Sequence, residues 1–176
     1  MLTEESIRNE TLIAVAKKML IAARTAPKAR GIDNIEIALV ESRDIEMISK
    51  RMKEIGEKSQ VPSFLRDADN ILQSGVMVLI GTKIKTIRLK KCGLCGFKSC
   101  EEKEKYHDVP CAFNTGDLGI AVGSAVSVAM DHRVDNRIMY SVGMAVIEMG
   151  LLGKDVKIVY GIPLSATSKN PFFDRK

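Results

Sequence analysis

All four cysteines of the chain, Cys92, Cys95, Cys100 and Cys111, fall between residues 92 and 111. Whatever the remaining residues build, it must present this stretch as one loop with its thiols turned toward a common point. The spacing is C-x2-C-x4-C-x10-C, and an opening CxxC is a compact way to bring two thiolates to one metal. A structural zinc site usually takes its ligands as two tight pairs. Here only the first pair is tight. A 4Fe-4S cube is larger and is readily served by three ligands from one wrapping loop and a fourth from farther along. The spacing therefore favours a 4Fe-4S cluster, with structural zinc as the alternative. Gly93 and Gly96 each follow a candidate ligand, where the lack of Cβ lets the backbone curl and aim N–H groups at sulfur. A 2+ cube on four thiolates carries about −2, which Lys85, Arg88, Lys90, Lys91 and Lys98 would offset; the same run also reads as a solvated face.

The chain of 176 residues, 45% apolar and 28% charged, has room for one sizeable core. No basic segment followed by an apolar run opens it, and the apolar stretches near 118–130 and 138–152 are too short to span a bilayer, so no membrane partner and a cytoplasmic location are expected. Reduced thiols suit that compartment. The net charge of +5 leaves room for an acidic partner. Its cations are interspersed with acids and aromatics are few, so nucleic-acid binding is not expected.

Helices and strands alternate. Thr3, Glu4 and Glu5 start a helix in which Leu12, Val15, Ala16, Met19, Leu20 and Ala23 recur at helical spacing, until Pro27 and Gly31 stop it. Ile35, Ile37 and Leu39 indicate a strand. Ile45, Ile48, Met52 and Ile55 mark a helix, and a further helix follows Pro62. Val76 to Ile80, bounded by glycines, is expected as a buried central strand. Two segments rich in small residues, 117–130 and 137–152, are expected as core helices. A last strand over Val156–Tyr160 should end at Gly161 and Pro163. The Gly, Ala and Ser face of the 117–130 helix suits close approach by another helix, a strand or a flat cofactor. These elements predict one domain over residues 1–176, with the segment 89–111 as an inserted cluster-binding loop.

Catalytic residues are not identifiable. His107 and His132 lie in no recognisable elbow, P-loop or dinucleotide fingerprint and read as loop or surface histidines, His107 with a second role beside the cluster open to it. Asp117 reads as a charge favoured by a helix N-terminus, and Glu148 as a buried or interface carboxylate.

The CGLCGFKSC segment with its later Cys111, the helix end Thr25-Ala-Pro27, the entry Asn114-Thr-Gly-Asp-Leu-Gly119 and the tail Gly161 to Arg175 resemble the ferredoxin-domain-containing proteins of bacteria and archaea, over nearly the whole chain. The cysteine segment is also similar to the four-cysteine iron-sulfur domain of electron-transfer complexes and of the corrinoid iron-sulfur protein, in which the last cysteine is usually farther away. The element order more loosely resembles the nitroreductase family, implying an α+β fold (an α/β sandwich), an intertwined homodimer and FMN. That resemblance implies flavin phosphate contacts from Arg24, Lys28 and Arg30 after the first helix and from Arg175 near the end, although the family's early Arg-Arg-Ser pattern is missing. The expected function is electron transfer or an oxidoreductase reaction with an unknown redox partner protein. The alternative is a non-catalytic module pinned by zinc.

Overall fold

The computed structural model describes residues 1–173. Thr3 opens helix α1, Glu4–Thr25: its Oγ1 accepts the Ser6 amide at 3.3 Å, and Glu4 and Glu5 sit in the first turn, where the helix dipole favours them. Leu12, Val15, Ala16, Met19 and Ala23 form the buried stripe, as their spacing predicts. Strand β1 (Ile35–Glu41), helix α2 (Ser42–Ser59), helix α3 (Pro62–Ile71, with Pro62 in the first turn) and strand β2 (Val76–Lys83) follow. After the cysteine segment come helix α5 (Ala112–Asp131), the short strand β3 (Asp135–Asn136), helix α6 (Tyr140–Met149) and strand β4 (Val156–Ser165); the cysteine segment itself holds the one-turn helix α4, Cys100–Glu104.

The four strands form one antiparallel sheet in the order β1-β2-β4-β3. β2 is buried along almost its whole length because both of its faces are covered. Val76, Val78 and Ile80 pack with α1 and α5, whereas Met77 and Leu79 pack with α2, α3 and α6. Period-two alternation thus distributes one apolar run between two cores, which makes it continuous instead of alternating. This is the α+β sandwich expected from the sequence.

Three boundaries differ. α5 begins at Ala112, five residues before Asp117, since Cys111 itself caps the helix. α6 is shorter than 137–152: it starts at Tyr140 and stops where Gly150 turns left-handed, φ 66°. β4 does not stop at Gly161 but runs on to Ser165. Gly161 exchanges hydrogen bonds with Met139 on the β3 side, so Pro163, two residues on, faces the gap between Asn136 and Met139, where its missing N–H interrupts no strand ladder.

Candidate metal centre

The chain leaves the sheet after Lys83, and both ends of the excursion are tied to one side chain. Asn114 is 1% exposed. Its Oδ1 accepts the Lys85 amide at 3.1 Å and the Cys111 amide at 3.2 Å, and its Nδ2 donates to the Lys85 carbonyl at 2.9 Å. The Cys111 thiol accepts in turn from the Asn114 backbone, completing a capping box with cysteine in the place usually held by serine or threonine. The fourth cysteine is therefore fixed at the N-terminus of a 20-residue helix, where the dipole favours a thiolate. Arg30, in a left-handed conformation at φ 56°, donates from Nη1 to the Ile87 and Arg88 carbonyls at 2.7 and 3.0 Å and holds the outgoing strand of the loop.

Between Cys92 and Cys95 the backbone reverses. Gly93 and Gly96 have φ of 143° and 86°, which L side chains rarely adopt, and the Gly96 amide donates to the Gly93 carbonyl at 2.9 Å. Ser99 caps α4 by accepting the Glu102 amide at 3.2 Å, while the Glu102 carboxylate accepts the Lys98 amide at 2.7 Å. Cys100 is thus the first residue of that turn. Glu104, at its far end, accepts from Thr86 and from Arg88 Nε (2.9 Å); these two contacts, in that order, hold its carboxyl below the usual range.

Cys92, Cys95, Cys100 and Cys111 all line one cavity of about 140 Å³, none in a disulfide, graded from exposed Cys92 to buried Cys111. That volume is roughly ten times what a single water requires. As placed, no group of three or more His, Cys, Asp or Glu side chains among the described residues is gathered tightly enough to hold a metal ion. A donor set of four soft thiols around a volume larger than one ion fits a polynuclear cluster. The cavity is also cationic: Lys90, Lys91, Lys98 and Lys103 border it. Lys103 is only 3% exposed, yet among the described residues its ammonium has neither a hydrogen bond nor an ion pair. Its stem is packed into the wall while the ammonium reaches solvent and acts electrostatically on Glu104, so Lys103 adds positive charge to the rim of the cavity. Sequence reading missed both Lys103, one helical turn beyond Cys100, and Asn114 as the clamp. Their spacing from the cysteines, three residues in each case, was the available signal.

A second cavity of about 480 Å³ lies beside the first turns of α5, between Pro27–Ala29, Leu94, Phe113, Gly116, Asp117 and Ile120. Phe113 borders both cavities. Of the four cations assigned to a flavin phosphate, Lys28 borders this space, and its Nζ donates to the Ala23 carbonyl at 2.9 Å and to the Arg24 carbonyl, closing the C-terminus of α1. Arg24 is directed to Asp33 at 2.6 Å and to the Ile35 carbonyl at 2.9 Å. Arg30 is engaged by the loop carbonyls, and Arg175 lies outside the described residues. Burial works to raise the Asp33 carboxyl, but the Arg24 hydrogen bond and the Ile35 amide outweigh it and the group lies below its ordinary value.

The remaining candidates have structural places. Asp117 lies in the second turn of α5, not at its first residues, and both of its oxygens accept the Ala29 amide, at 3.1 and 3.2 Å. Glu148 is exposed, not buried, and pairs with Arg51 at 2.5 Å. His132 caps the C-terminal end of α5, with Nδ1 at 2.8 Å from the Val128 carbonyl. His107 borders a separate cavity with Lys85, Arg88 and Glu104 and does not line the cysteine cavity. No helix among the described residues is long and apolar enough to cross a membrane.

A family model described as an uncharacterised protein containing a ferredoxin domain matches residues 107–175, taking in Cys111. An uncharacterised protein of Archaeoglobus fulgidus is 41% identical over 182 residues, covering 99% of this chain and 97% of its own. The fold is similar to that of the nitroreductase CinD of Lactococcus lactis in complex with nicotinic acid (TM-score 0.62, 12% identity, 91% of this chain and 79% of that one). It is also similar to a nitroreductase with bound FMN from Bacteroides fragilis (TM-score 0.61, 11% identity, 93% and 81%) and to a nitroreductase family protein from Clostridium novyi (TM-score 0.58, 13% identity, 92% and 76%).

Proposed function

Since the chain belongs to this family of ferredoxin-domain-containing proteins, we propose that it is a redox protein whose Cys92, Cys95, Cys100 and Cys111 hold a 4Fe-4S cluster. The observation that carries the reading is the convergence of all four cysteines on one cavity of about 140 Å³ bordered by four lysines. A bound cluster would supply one-electron chemistry. The chain's own part is to hold the thiols: Asn114 fixes Cys111 against the loop entry, the Gly93 to Gly96 turn brings Cys92 and Cys95 round, and Ser99 sets Cys100 at the start of its turn. The lysines supply positive charge that favours thiolates over thiols and tends to raise the reduction potential.

The 480 Å³ cavity supports a second element of this reading, FMN on the same core. It is of small-ligand size, mostly apolar, bordered by the glycine-bearing face of α5 and separated from the cysteines by Phe113. Lys28 is then the phosphate contact nearest to hand, with Arg24 and Arg30 needing to leave their present partners to join it. The reading also takes the protein as a cytoplasmic homodimer.

The deciding experiment is anaerobic purification followed by iron, sulfide, zinc and flavin analysis of the wild type and the four single Cys→Ser variants. Brown protein whose broad visible absorption bleaches with dithionite is expected. Cys92→Ser, Cys95→Ser and Cys100→Ser should lose stoichiometric iron, and Cys111→Ser should keep a partly occupied or three-iron cluster, because a serine oxygen is a harder and less available ligand. Colourless protein with one zinc per chain would overturn the cluster, and absence of FMN binding would remove the flavin alone.

A further inference from the structure

The net charge of the molecule is not spread over it. Residues 83–105 contain eight Lys and Arg against three Asp and Glu, so the whole excess of +5 resides in this short span and the rest of the chain carries nineteen of each sign. Elsewhere cations are commonly paired, as Arg8 is with Glu4, Arg51 with Glu54 and Glu148, and Lys53 with Asp69. In the span, Lys85, Lys90, Lys91, Lys98 and Lys105 are exposed, and among the described residues none of their ammonium groups has a hydrogen bond or an ion pair. Lys90, Lys91 and Lys98 border the cavity of the one cysteine that is itself exposed, Cys92, Lys85 borders the neighbouring cavity that shares Lys103 with it, and Leu94 stands 73% exposed in the same loop. The enclosed site already has the buried Lys103 beside it. With Lys90, Lys91 and Lys98 on the rim of that site and Lys85 and Lys105 exposed outside it, the positive charge exceeds what an internal anion of about −2 calls for. Uncompensated charge of one sign around an accessible centre raises the encounter rate with partners of the opposite sign.

We infer that this basic collar is the docking surface for a small acidic protein that carries single electrons, which seats its acidic rim on the lysines and a small apolar contact on Leu94. The inference rests on the redox reading above and adds the chemistry of the partner. One electron passes from the reduced carrier to the cysteine-held centre; the carrier is oxidised by one electron, and no bond forms or breaks. The spacing of charge also suits a polyanion such as RNA. The observations favour protein, since among the described residues in and next to this span the two aromatic rings, Phe97 and Tyr106, are packed on each other with centroids 5.1 Å apart and form no row of separate rings on which successive bases could stack.

The test uses the full chain, purified anaerobically, with a fluorescently labelled acidic plant-type 2Fe-2S ferredoxin as probe. Its binding is followed by anisotropy at low and high salt, and electron transfer from the reduced probe by stopped flow. The variant is Lys85→Glu with Lys105→Glu; both side chains are exposed and neither borders the cysteine cavity. Binding at low salt that weakens as salt rises, falls at least about tenfold in the charge-reversed variant and returns in Lys85→Arg with Lys105→Arg is the expected result. Equal affinity in wild type and variant, or no dependence on salt, overturns the inference. So does a short single-stranded RNA that binds through these lysines while the ferredoxin does not. Visible absorption recorded before mixing separates the two levels: a bleachable chromophore without docking removes the collar and leaves the redox reading, whereas docking to a colourless protein keeps an acidic-partner surface and removes the redox reading.

Discussion

Helices α5 and α6 are alike in composition and opposite in use. In α6, Gly143 lies against the sheet so closely that a Cβ there would come within 1.8 Å of the Val159 carbonyl oxygen, and across the same contact a Cβ on Gly161 would come within 2.2 Å of Val142 Cγ1. The glycines of α6 and β4 are explained by packing inside the chain. Gly116, Gly119 and Gly123 of α5 lie on its outward side with no atom within 4 Å of a built Cβ, and Ile120 and Met130 are exposed on the same helix. Each glycine in a helix interior costs about 0.5–1 kcal/mol relative to alanine. Nothing within the chain repays that cost; the flavin and the second copy proposed above would each account for it.

The comparison can be broken at either helix. The largest effect is expected at Gly143→Ala, where the opposing atom is backbone and cannot swing aside; a loss of about 3 kcal/mol or more in chemical denaturation is predicted, and a loss under about 1 kcal/mol would show that α6 has slack to move off the sheet. A smaller effect of opposite sign is expected for Gly119→Ala and Gly123→Ala, each raising the stability of the isolated chain by about 0.5–1 kcal/mol. Light scattering on the same variants should show the proposed dimer weakened, because the added methyls hold two helices apart. Unchanged association would exclude this face as the contact. The smallest effect concerns the end of α1, the helix against which α5 packs. Asp33 has its folded pKa below its unfolded value near 3.9, so the stability it contributes with Arg24 is present above that value and is lost as pH falls through the folded pKa. Both side chains are a third or more exposed, so solvent screening holds this to about 0.5 kcal/mol or less, seen as an acid-side difference between wild type and Asp33→Asn in thermal melts.

Much of this architecture was legible in sequence because local signals and the fold agree. Thr3 caps, Val76 to Ile80 is central, and Gly93 and Gly96 take positive φ where a turn between thiols needs them. The start of α5 was misplaced because Cys111 serves as a cap as well as a candidate ligand, and a cysteine is rarely the residue that begins a helix. β4 was cut short because Pro163 ends most strands; its tolerance depends on which neighbour its nitrogen faces, a fact of register and not of sequence. Lys103 was overlooked and Glu148 is not buried as one of its two readings had it: the first is a lysine packed beside thiols, the second a carboxylate held at the surface by Arg51. Whether a charged side chain is buried is decided by tertiary partners, and these lie far along the chain: Glu148 finds Arg51 almost a hundred residues away.

Phe113 forms part of the wall of the cysteine cavity and of the larger cavity beside α5. A shared wall is a thermodynamic link. Any occupant on one side that shifts the ring alters the space offered on the other, and reciprocity requires the second occupant to change the affinity of the first by the same factor. The two compartments are therefore read together: loading of the thiol site and loading of the apolar site are not independent measurements, and each must be titrated with the state of the other fixed.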